Sequence, residues 1–224
     1  MKAAVAAFVK TPGISGVKTR LAKERGATIA EKFYGLSLAC VEEMLAECSL
    51  CTAFWAVAEQ EGALDPRWMR FPVVLQGEGG LGDRMHRVYA GLLNLFPAVI
   101  LIGADSPQLT GRHLEQALVK LQAGAEFVFG PADDGGFYLL AGRKPIPREL
   151  FASVEYSAAD TLEKLEARIA TLGAVERIGS EPDVDTSDDL ANVADRLSAQ
   201  KERTPAQERL MVWLREQQAG VRGL

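Results

Sequence analysis

The sequence predicts a three-layer α/β/α domain with a mixed, mainly parallel sheet. Short apolar runs alternate with amphipathic stretches along the chain, and this alternation is typical of a sheet with helices on both faces. Residues 98–103 (AVILIG) form an unbroken apolar run, which indicates a central strand covered on both sides. The length of 224 residues, with 48% hydrophobic and 25% charged residues, fits one globular domain of this kind.

The elements follow from the spacing of apolar residues. Strands are expected where short apolar runs occur, and helices where apolar residues recur three and four positions apart, as Phe33, Leu36 and Cys40 do. The predicted strands are residues 3–9, 51–57, 73–76, 98–103, 126–129, 137–141 and 174–178. The predicted helices are residues 28–48, 83–96, 110–122 (with Thr110 as N-cap), 161–172 and 187–198 (opened by Thr186 or Ser187), followed by a last helix that begins at Thr204-Pro205.

One boundary is visible, a polar run at residues 198–203. It divides a main unit, residues 1–198, from a C-terminal helical extension, residues 199–224. Leu210, Trp213 and Leu214 on the last helix favour packing back onto the main unit, and a homodimer contact is the alternative.

Composition excludes several classes of protein. The net charge of −5 argues against a nucleic-acid-binding surface. The N-terminal apolar stretch is too short for a secretory signal, and no apolar run approaches the ~20 residues that span a membrane, so we expect a cytoplasmic protein without membrane contact. Cys40, Cys48 and Cys51 are read as structural thiols, and His86 and His113 as surface or packing residues.

A basic segment rich in glycine and proline, residues 10–21, follows the first strand. No acidic residue precedes Glu24, whereas Lys10, Lys18 and Arg20 lie in this segment. We expect an open loop whose backbone N–H groups and cations bind phosphates. The alternative is a solvated basic loop, and the glycine spacing differs from that of a Walker A motif.

Three acidic motifs lie where strands are expected to end. Asp105 follows the central strand in the sequence GADSP, where a carboxylate can bind Mg²⁺ or cap a turn. Asp133 and Asp134, before Gly135 and Gly136, indicate a tight turn, which is either a bare turn or one where the glycines let a sugar or acceptor approach the backbone closely. In the second case Asp133 or Asp134 would contact the sugar or serve as base. In the third motif, residues 183–190 (DVDTSDDL), alternation places Asp183 and Asp185 on one side of an extended segment, so that one can ligate a metal and the other can orient it or cap the next helix. Asp188 and Asp189 suit the first turn of a helix.

The glycine-rich residues 77–85 (GEGGLGDRM) lead into a helix and could hold a base or ribose. Together with the basic loop and the motifs ADSP, PADDGGFYLL and DVDTSDDL, this segment resembles a bacterial family of GT-A-like nucleotide-diphospho-sugar transferases, whose members are often uncharacterised or described as arsenosugar-biosynthesis glycosyltransferases. The resemblance covers residues 2–197. It extends more distantly to CMP-KDO synthetase, the molybdenum-cofactor nucleotidyltransferases and phospholactate guanylyltransferase.

The resemblance implies a GT-A fold and a role for individual residues. Asp105 and Asp185 would bind Mg²⁺ or Mn²⁺, and Lys18 and Arg20 would bind phosphates. Gly80, Asp83 and Arg84 match the segment that contacts the base. The chain departs from the family pattern at residues 14–16, where Ile-Ser-Gly replaces Pro-Gly-Arg, at residues 156–158, where Tyr-Ser-Ala replaces Trp-Ser-Thr, and at residues 185–188, where Asp-Thr-Ser-Asp replaces Asp-Thr-Pro-Glu.

These motifs predict a metal-dependent transferase that binds a nucleotide sugar and a small-molecule acceptor. The predicted catalytic residues are Asp105, Asp185 and Asp134. Lys10, Lys18, Arg20, Gly80, Asp83, Arg84, Gly135 and Gly136 are the predicted substrate-binding residues. Two alternatives stay open: a nucleotidyltransferase that uses an NTP and releases pyrophosphate, and a non-catalytic nucleotide-sugar-binding domain.

Overall fold

The computed structural model describes the backbone of residues 2–222 and the side chains of residues 2–218. Seven strands form one sheet in the order β3-β2-β1-β4-β6-β5-β7. Every neighbouring pair is parallel except the two that involve β6. This is the mixed, mainly parallel sheet that the sequence predicts. The strands are β1 (Ala3–Val9), β2 (Cys51–Val57), β3 (Val73–Leu75), β4 (Val99–Gly103), β5 (Phe127–Pro131), β6 (Phe137–Gly142) and β7 (Val175–Arg177).

Eight α-helices are present in the described part of the chain. Five of the six predicted helices match α2, α3, α4, α6 and α7 within a few residues, and the sixth is α8. Two short helices and a 3₁₀ turn were not predicted. The helices are α1 (Thr19–Arg25), α2 (Ala27–Glu47), α3 (Leu81–Leu93), α4 (Gly111–Ala123), α5 (Arg148–Ala152), α6 (Thr161–Ile169), α7 (Asp189–Ala199) and α8 (Pro205–Arg222), with the 3₁₀ turn at Pro66–Trp68.

Helix α1 corrects the expectation that the whole of residues 10–21 is an open loop. The chain turns helical at Thr19 because Leu21 is completely buried in the core beneath α2, α7 and α8. The start of α7 is a second correction, since its N-cap is Asp188 rather than Thr186 or Ser187. The carboxylate of Asp189 accepts hydrogen bonds from the N–H groups of Asp185 and Thr186, which holds the preceding residues in a turn.

The sheet is covered on both faces. Alternate residues of β1 belong to different cores, with Val5 and Val9 facing the α2 and α4 side, and Ala4 and Ala6 facing the side of α3, α5 and α6. This burial on both faces explains why the central strands are apolar throughout rather than alternating.

A third apolar core joins α8 to the domain. Leu210 and Leu214 are buried, and the ring of Trp213 lies 6.2 Å from that of Phe33 in α2. The last helix therefore packs back onto the domain, while a homodimer contact and a domain division at residue 198 stay predictions. Within residues 2–222, no helix is both long and apolar enough to cross a membrane.

The cysteines and histidines have the structural environments expected of them. Cys40 and Cys51 are buried and Cys48 is half-buried, all as free thiols. The His113 ring accepts a hydrogen bond from the Thr110 N–H at the start of α4 (3.1 Å), and His86 packs on the ring of Phe151.

Candidate functional site

A two-lobed cleft lies at the carboxyl ends of the parallel strands, where β1 pairs with β2 on one side and β4 on the other. Such a switch in strand order is where open α/β sheets bind ligands. The lobes have volumes of about 430 and 380 Å³. Because β6 runs antiparallel, its first residues also reach this edge. The lining residues shared by both lobes are Phe8, Lys10, Arg20, Asp105, Ser157 and Asp185.

The smaller lobe is formed by the basic segment, which is anchored at its start. The Lys10 N–H donates to the Tyr34 hydroxyl (2.8 Å) and the Thr11 N–H donates to Glu59 (2.9 Å). The Arg67 guanidinium donates to the Pro12 carbonyl (3.1 Å). These contacts fix the loop and leave the exposed Lys10 beside the cleft.

Lys18 lies among three carboxylates at the floor of this lobe. Its Nζ is 2.7 Å from Asp105, 3.9 Å from Asp183 and 4.0 Å from Asp185, and it also donates to the Val184 carbonyl. Only 4% of its side chain is exposed. Lys18 therefore joins the three acidic residues into one cluster, in place of the exposed position expected of a phosphate ligand.

Backbone strain is concentrated in the cleft. Among residues 2–222, Lys18 (φ 44°) and Ser157 (φ 64°) are the two non-glycine residues with positive φ, and both line the smaller lobe. A left-handed backbone costs an L-residue about 1–2 kcal/mol. Such strain often marks functional segments, and here it coincides with the cleft.

The charges of the acidic cluster perturb one another. Burial by itself would raise the pKa of Asp105, but the adjacent Lys18 ammonium holds it below its ordinary value. Burial likewise acts to lower the pKa of Lys18, and the carboxylates, Asp105 foremost, outweigh it and leave that pKa raised. Burial, assisted by the negative charge of Asp105, raises the pKa of Asp183 to about 7. Asp183 thus gains a proton near neutrality more readily than a surface carboxyl does.

Arg20 lies on the first turn of α1 and reaches over the cleft. Its guanidinium is 2.6 Å from the Asp185 carboxylate, yet 60% of the side chain is exposed. Lys10 and Arg20 are the exposed cations among the residues that line the cleft.

The second acidic motif, which contains Asp133 and Asp134, contributes one of these two carboxylates to the lining of the cleft. Asp134 lines the larger lobe, and its Oδ1 accepts a hydrogen bond from the Gly136 N–H (2.9 Å). Asp133 does not line either lobe. Gly136 lines the cleft, but Gly135 does not; a side chain on Gly135 would collide with the Ala159 carbonyl, and its φ is +88°. Packing of the turn, rather than sugar contact, explains Gly135.

The glycine-rich segment reaches the cleft through different residues from those predicted. Leu81 and Met85 line the larger lobe, whereas Gly80, Asp83 and Arg84 do not line either lobe. Asp83 is engaged by Arg148 (2.7 Å) and the Gly80 N–H (3.2 Å). The structure therefore gives Asp83 a helix-capping and tethering contact, and places its apolar neighbours against the cleft.

Sequence reasoning missed the aromatic wall of the larger lobe. Phe8, Phe137, Tyr138 and Tyr156 line it. The hydroxyls of Tyr138 and Tyr156 donate to backbone carbonyls at 2.8 Å, so that these residues offer their rings to the cleft rather than free hydroxyls. The signals in the sequence were Phe137 and Tyr138 in the motif PADDGGFYLL and Tyr156, which stands where the family pattern has Trp.

The residues present fit a divalent cation. Asp105 and Asp185 supply the carboxylate oxygens that Mg²⁺ prefers. Both lie within 4.0 Å of the Lys18 ammonium, which shows that these carboxylates already attract a positive charge. They are about 40% exposed, which leaves one side open to an ion. Within residues 2–222, however, no three His, Cys, Asp or Glu side chains are arranged as a ready-made metal cluster.

Comparisons with solved structures identify the fold class. A structure described as a "putative nucleotide-diphospho-sugar transferase" from Desulfovibrio desulfuricans G20 matches with a TM-score of 0.84 and 24% identity, over 99% of this chain and 97% of that one. A cytidylyltransferase from Leptospira borgpetersenii serovar Hardjo-bovis matches with a TM-score of 0.58 and 10% identity, over 98% and 96% of the two chains. CMP:2-keto-3-deoxy-manno-octonic acid synthetase, in complex with CTP, matches with a TM-score of 0.53 and 13% identity, over 86% and 97%. The fold is that of the nucleotide-diphospho-sugar transferases and nucleotidyltransferases.

The sequence also identifies the family. A family model described as "uncharacterized protein conserved in bacteria" (DUF2064) matches residues 40–158, and the chain belongs to that family. No curated protein matches the chain. Together with the solved structures, this match confirms the resemblance to a bacterial nucleotide-diphospho-sugar transferase family and the more distant one to CMP-KDO synthetase.

Proposed function

We propose that the protein is a metal-dependent, cytoplasmic transferase that uses a nucleotide sugar as donor. The observation that carries the proposal is the composition of one cleft. It combines accessible cations, a carboxylate cluster and an aromatic lobe at the strand-order switch point of a nucleotide-binding fold. A phosphate-bearing donor matches the polar lobe, and a ring matches the aromatic lobe.

In this proposal the polar lobe holds the donor's phosphates. Lys10 and Arg20 would bind phosphate oxygens, the Arg20 guanidinium in a bidentate manner. Lys18 would hold Asp105, Asp183 and Asp185 in position rather than bind substrate directly, since it is buried among them.

Asp105 and Asp185 would bind the Mg²⁺ or Mn²⁺ ion. When bound, that ion supplies charge stabilisation for the departing nucleotide diphosphate. Asp134, which also lines the larger lobe, would accept a proton from the acceptor hydroxyl or orient it. The turn that carries Asp134 is fixed by its bond to the Gly136 N–H.

The second candidate is a nucleotidyltransferase. It is favoured by the two cytidylyl-transferring neighbours, which match over 86% and 98% of this chain, one of them with CTP bound. The same cleft would then take an NTP and release pyrophosphate. A non-catalytic binding domain would need the cations, but it would not need three carboxylates gathered around one lysine.

Product analysis separates the two reactions, because they break different bonds. A sugar transferase cleaves between the sugar carbon and the β-phosphate oxygen, and slowly hydrolyses its preferred nucleotide sugar to a nucleoside diphosphate. A nucleotidyltransferase cleaves between the α- and β-phosphates. We expect nucleoside diphosphate when the protein is incubated with Mn²⁺, pooled nucleotide sugars and a metabolite extract.

The control in that experiment is Asp105→Asn. Pyrophosphate released from pooled NTPs by the wild type but not by this variant would replace the sugar-transferase proposal with the nucleotidyltransferase. Absence of both products, together with nucleotide-sugar binding, would favour the binding domain.

A further inference from the structure

The loop that carries Asp105, residues 104–109, is held by side chains from outside it. At its start, the buried hydroxyl of Ser37 in α2 donates to the Ala104 carbonyl (2.9 Å). At its end, the Gln207 amide of α8 donates to the carbonyls of Pro107 (2.9 Å) and Leu109 (3.4 Å). Backbone carbonyls on both sides of Asp105 are thus fixed by buried donors.

The side chain of Gln108 couples this loop to the second acidic segment. Gln108 is 1% exposed, and its amide donates to the Pro182 carbonyl (2.8 Å), immediately before Asp183. Its own backbone carbonyl accepts from Gln200 at the end of α7 (2.6 Å). Three glutamine amides therefore connect the Asp105 loop, the Asp183–Asp185 segment and the C-terminal helices.

Gln207 occupies the central position in this network. Gln207 is 1% exposed. Its Oε1 accepts a hydrogen bond from the Thr204 N–H (3.1 Å), and its Nε2 donates to the carbonyls of Pro107 and Leu109. Both ends of the amide are therefore engaged, which fixes its orientation. A buried amide is costly unless its hydrogen bonds are made, so the satisfied Gln207 amide defines one geometry for the loop, whereas the buried Oε1 atoms of Gln108 and Gln200 have no partner.

Packing of α8 does not by itself require this polar network. The helix already buries Leu210, Met211 and Leu214 against the domain, and an apolar residue at position 207 would extend the same core. An amide directed at loop carbonyls instead specifies where the loop stands, because hydrogen bonds depend on distance and angle as apolar contacts do not.

We propose that Gln207, assisted by Gln108 and Gln200, is a positioning residue that sets Asp105 relative to Asp183 and Asp185. The C-terminal helix accordingly supports the site from behind the Asp105 loop, although the sequence places it outside the main unit. The consequence for nucleotide binding rests on the proposed function, whereas the position of the loop does not.

The test compares Gln207→Met with Leu210→Val in the full chain. Methionine keeps the length and volume of glutamine but cannot donate. Leu210→Val removes one methylene from the same helix and serves as the stability control. In hydrogen–deuterium exchange, Gln207→Met should raise exchange in residues 104–109 at least fivefold relative to the control. If Gln207→Met does not fold, Gln200→Met, at a half-buried position, takes its place with the same expected direction.

Binding is then measured with Mn²⁺ and each of ATP, GTP, CTP and UTP, and with the nucleotide sugars ADP-glucose, GDP-glucose and UDP-glucose. For whichever nucleotide binds the wild type, Gln207→Met should weaken Mn²⁺-dependent affinity about tenfold and leave affinity for the nucleoside unchanged, and Leu210→Val should change neither. Equal loop exchange in both variants would overturn the proposal. Altered loop exchange without nucleotide binding by the wild type would support the positioning role and count against the proposed function.

Discussion

Replacement of Lys18 by Met tests the acidic cluster most severely. The substitution removes one ammonium from three carboxylates within 2.7–4.0 Å and also unpairs the Val184 carbonyl. At ~4 Å and an effective dielectric constant of ~20, each charge pair is worth ~4 kcal/mol before desolvation. Removal of one partner from a buried pair costs about 3–5 kcal/mol. Asp105 and Asp185 are about 40% exposed, and water offsets part of the loss.

We therefore expect the free energy of unfolding of Lys18→Met to fall by about 3 kcal/mol in EDTA, measured by denaturant unfolding at pH 7.5. Saturating Mg²⁺ should narrow the difference from wild type by at least about 1 kcal/mol, because the ion then neutralises carboxylates that have lost their ammonium. Lys23→Met is the matched control, since Lys23 is exposed on the same helix, and we expect a change within about 0.5 kcal/mol. If Lys18→Met were as stable as wild type, or if Mg²⁺ stabilised both proteins equally, the conclusion that Lys18 neutralises the three carboxylates would be refuted.

Three further predictions follow from the cleft. Arg20→Ala should weaken binding of di- and triphosphates about tenfold more than binding of the nucleoside. Arg20→Lys should restore affinity only in part, because lysine cannot make the bidentate contact. Equal losses of nucleotide and nucleoside affinity in calorimetry would contradict this role. Ser157→Gly should be at least as stable as wild type in denaturant unfolding, because glycine adopts the positive φ of this position without strain. Ser157→Ala should show no such gain, and a more stable alanine than glycine variant would contradict the conclusion that the backbone is strained here. In the folded protein the pKa of Asp183 is raised to about 7, whereas in the unfolded chain this carboxyl loses its proton near pH 4. The carboxyl's contribution to stability is therefore present at low pH and is lost as the pH rises to about 7. Without metal, the stability of wild type minus that of Asp183→Asn should therefore decrease between pH 4.5 and 8, and parallel pH profiles would contradict the assignment.

Much of the fold could be predicted because burial leaves a local signature. The run at residues 98–103 is apolar throughout since β4 is covered on both faces, and the predicted strands agree with the sheet within a few residues. Helix α1 was missed because its one fully buried residue, Leu21, gives no periodicity. Helix α5, of five residues, is likewise too short for an apolar repeat.

Site residues could be predicted where a motif adjoins an expected strand or helix, but contacts between residues far apart in the sequence could not. Asp105 and Asp185 both line the cleft. Asp105 could be found because it directly follows the apolar run at residues 98–103, and Asp185 because it lies in an extended segment just before an expected helix. The burial of Lys18 was not foreseeable, since it results from residues 87 and 166 positions away along the chain. The aromatic wall arises in the same way, because Phe8 and Tyr156 are far apart in the sequence and yet line the same lobe. Local sequence does not encode such contacts.

The most direct test of the account is metal-dependent nucleotide binding by Asp105→Asn and Asp185→Asn. Isothermal titration calorimetry is run with wild type and both variants against the nucleotides and nucleotide sugars that stabilise the wild type thermally, with Mg²⁺ or Mn²⁺ and again with EDTA. We predict that wild type binds more tightly with metal, and that each variant keeps its fold but loses this metal-dependent increment. Metal-dependent affinity that is unchanged in both variants would contradict the assignment of the cleft as a metal–nucleotide site.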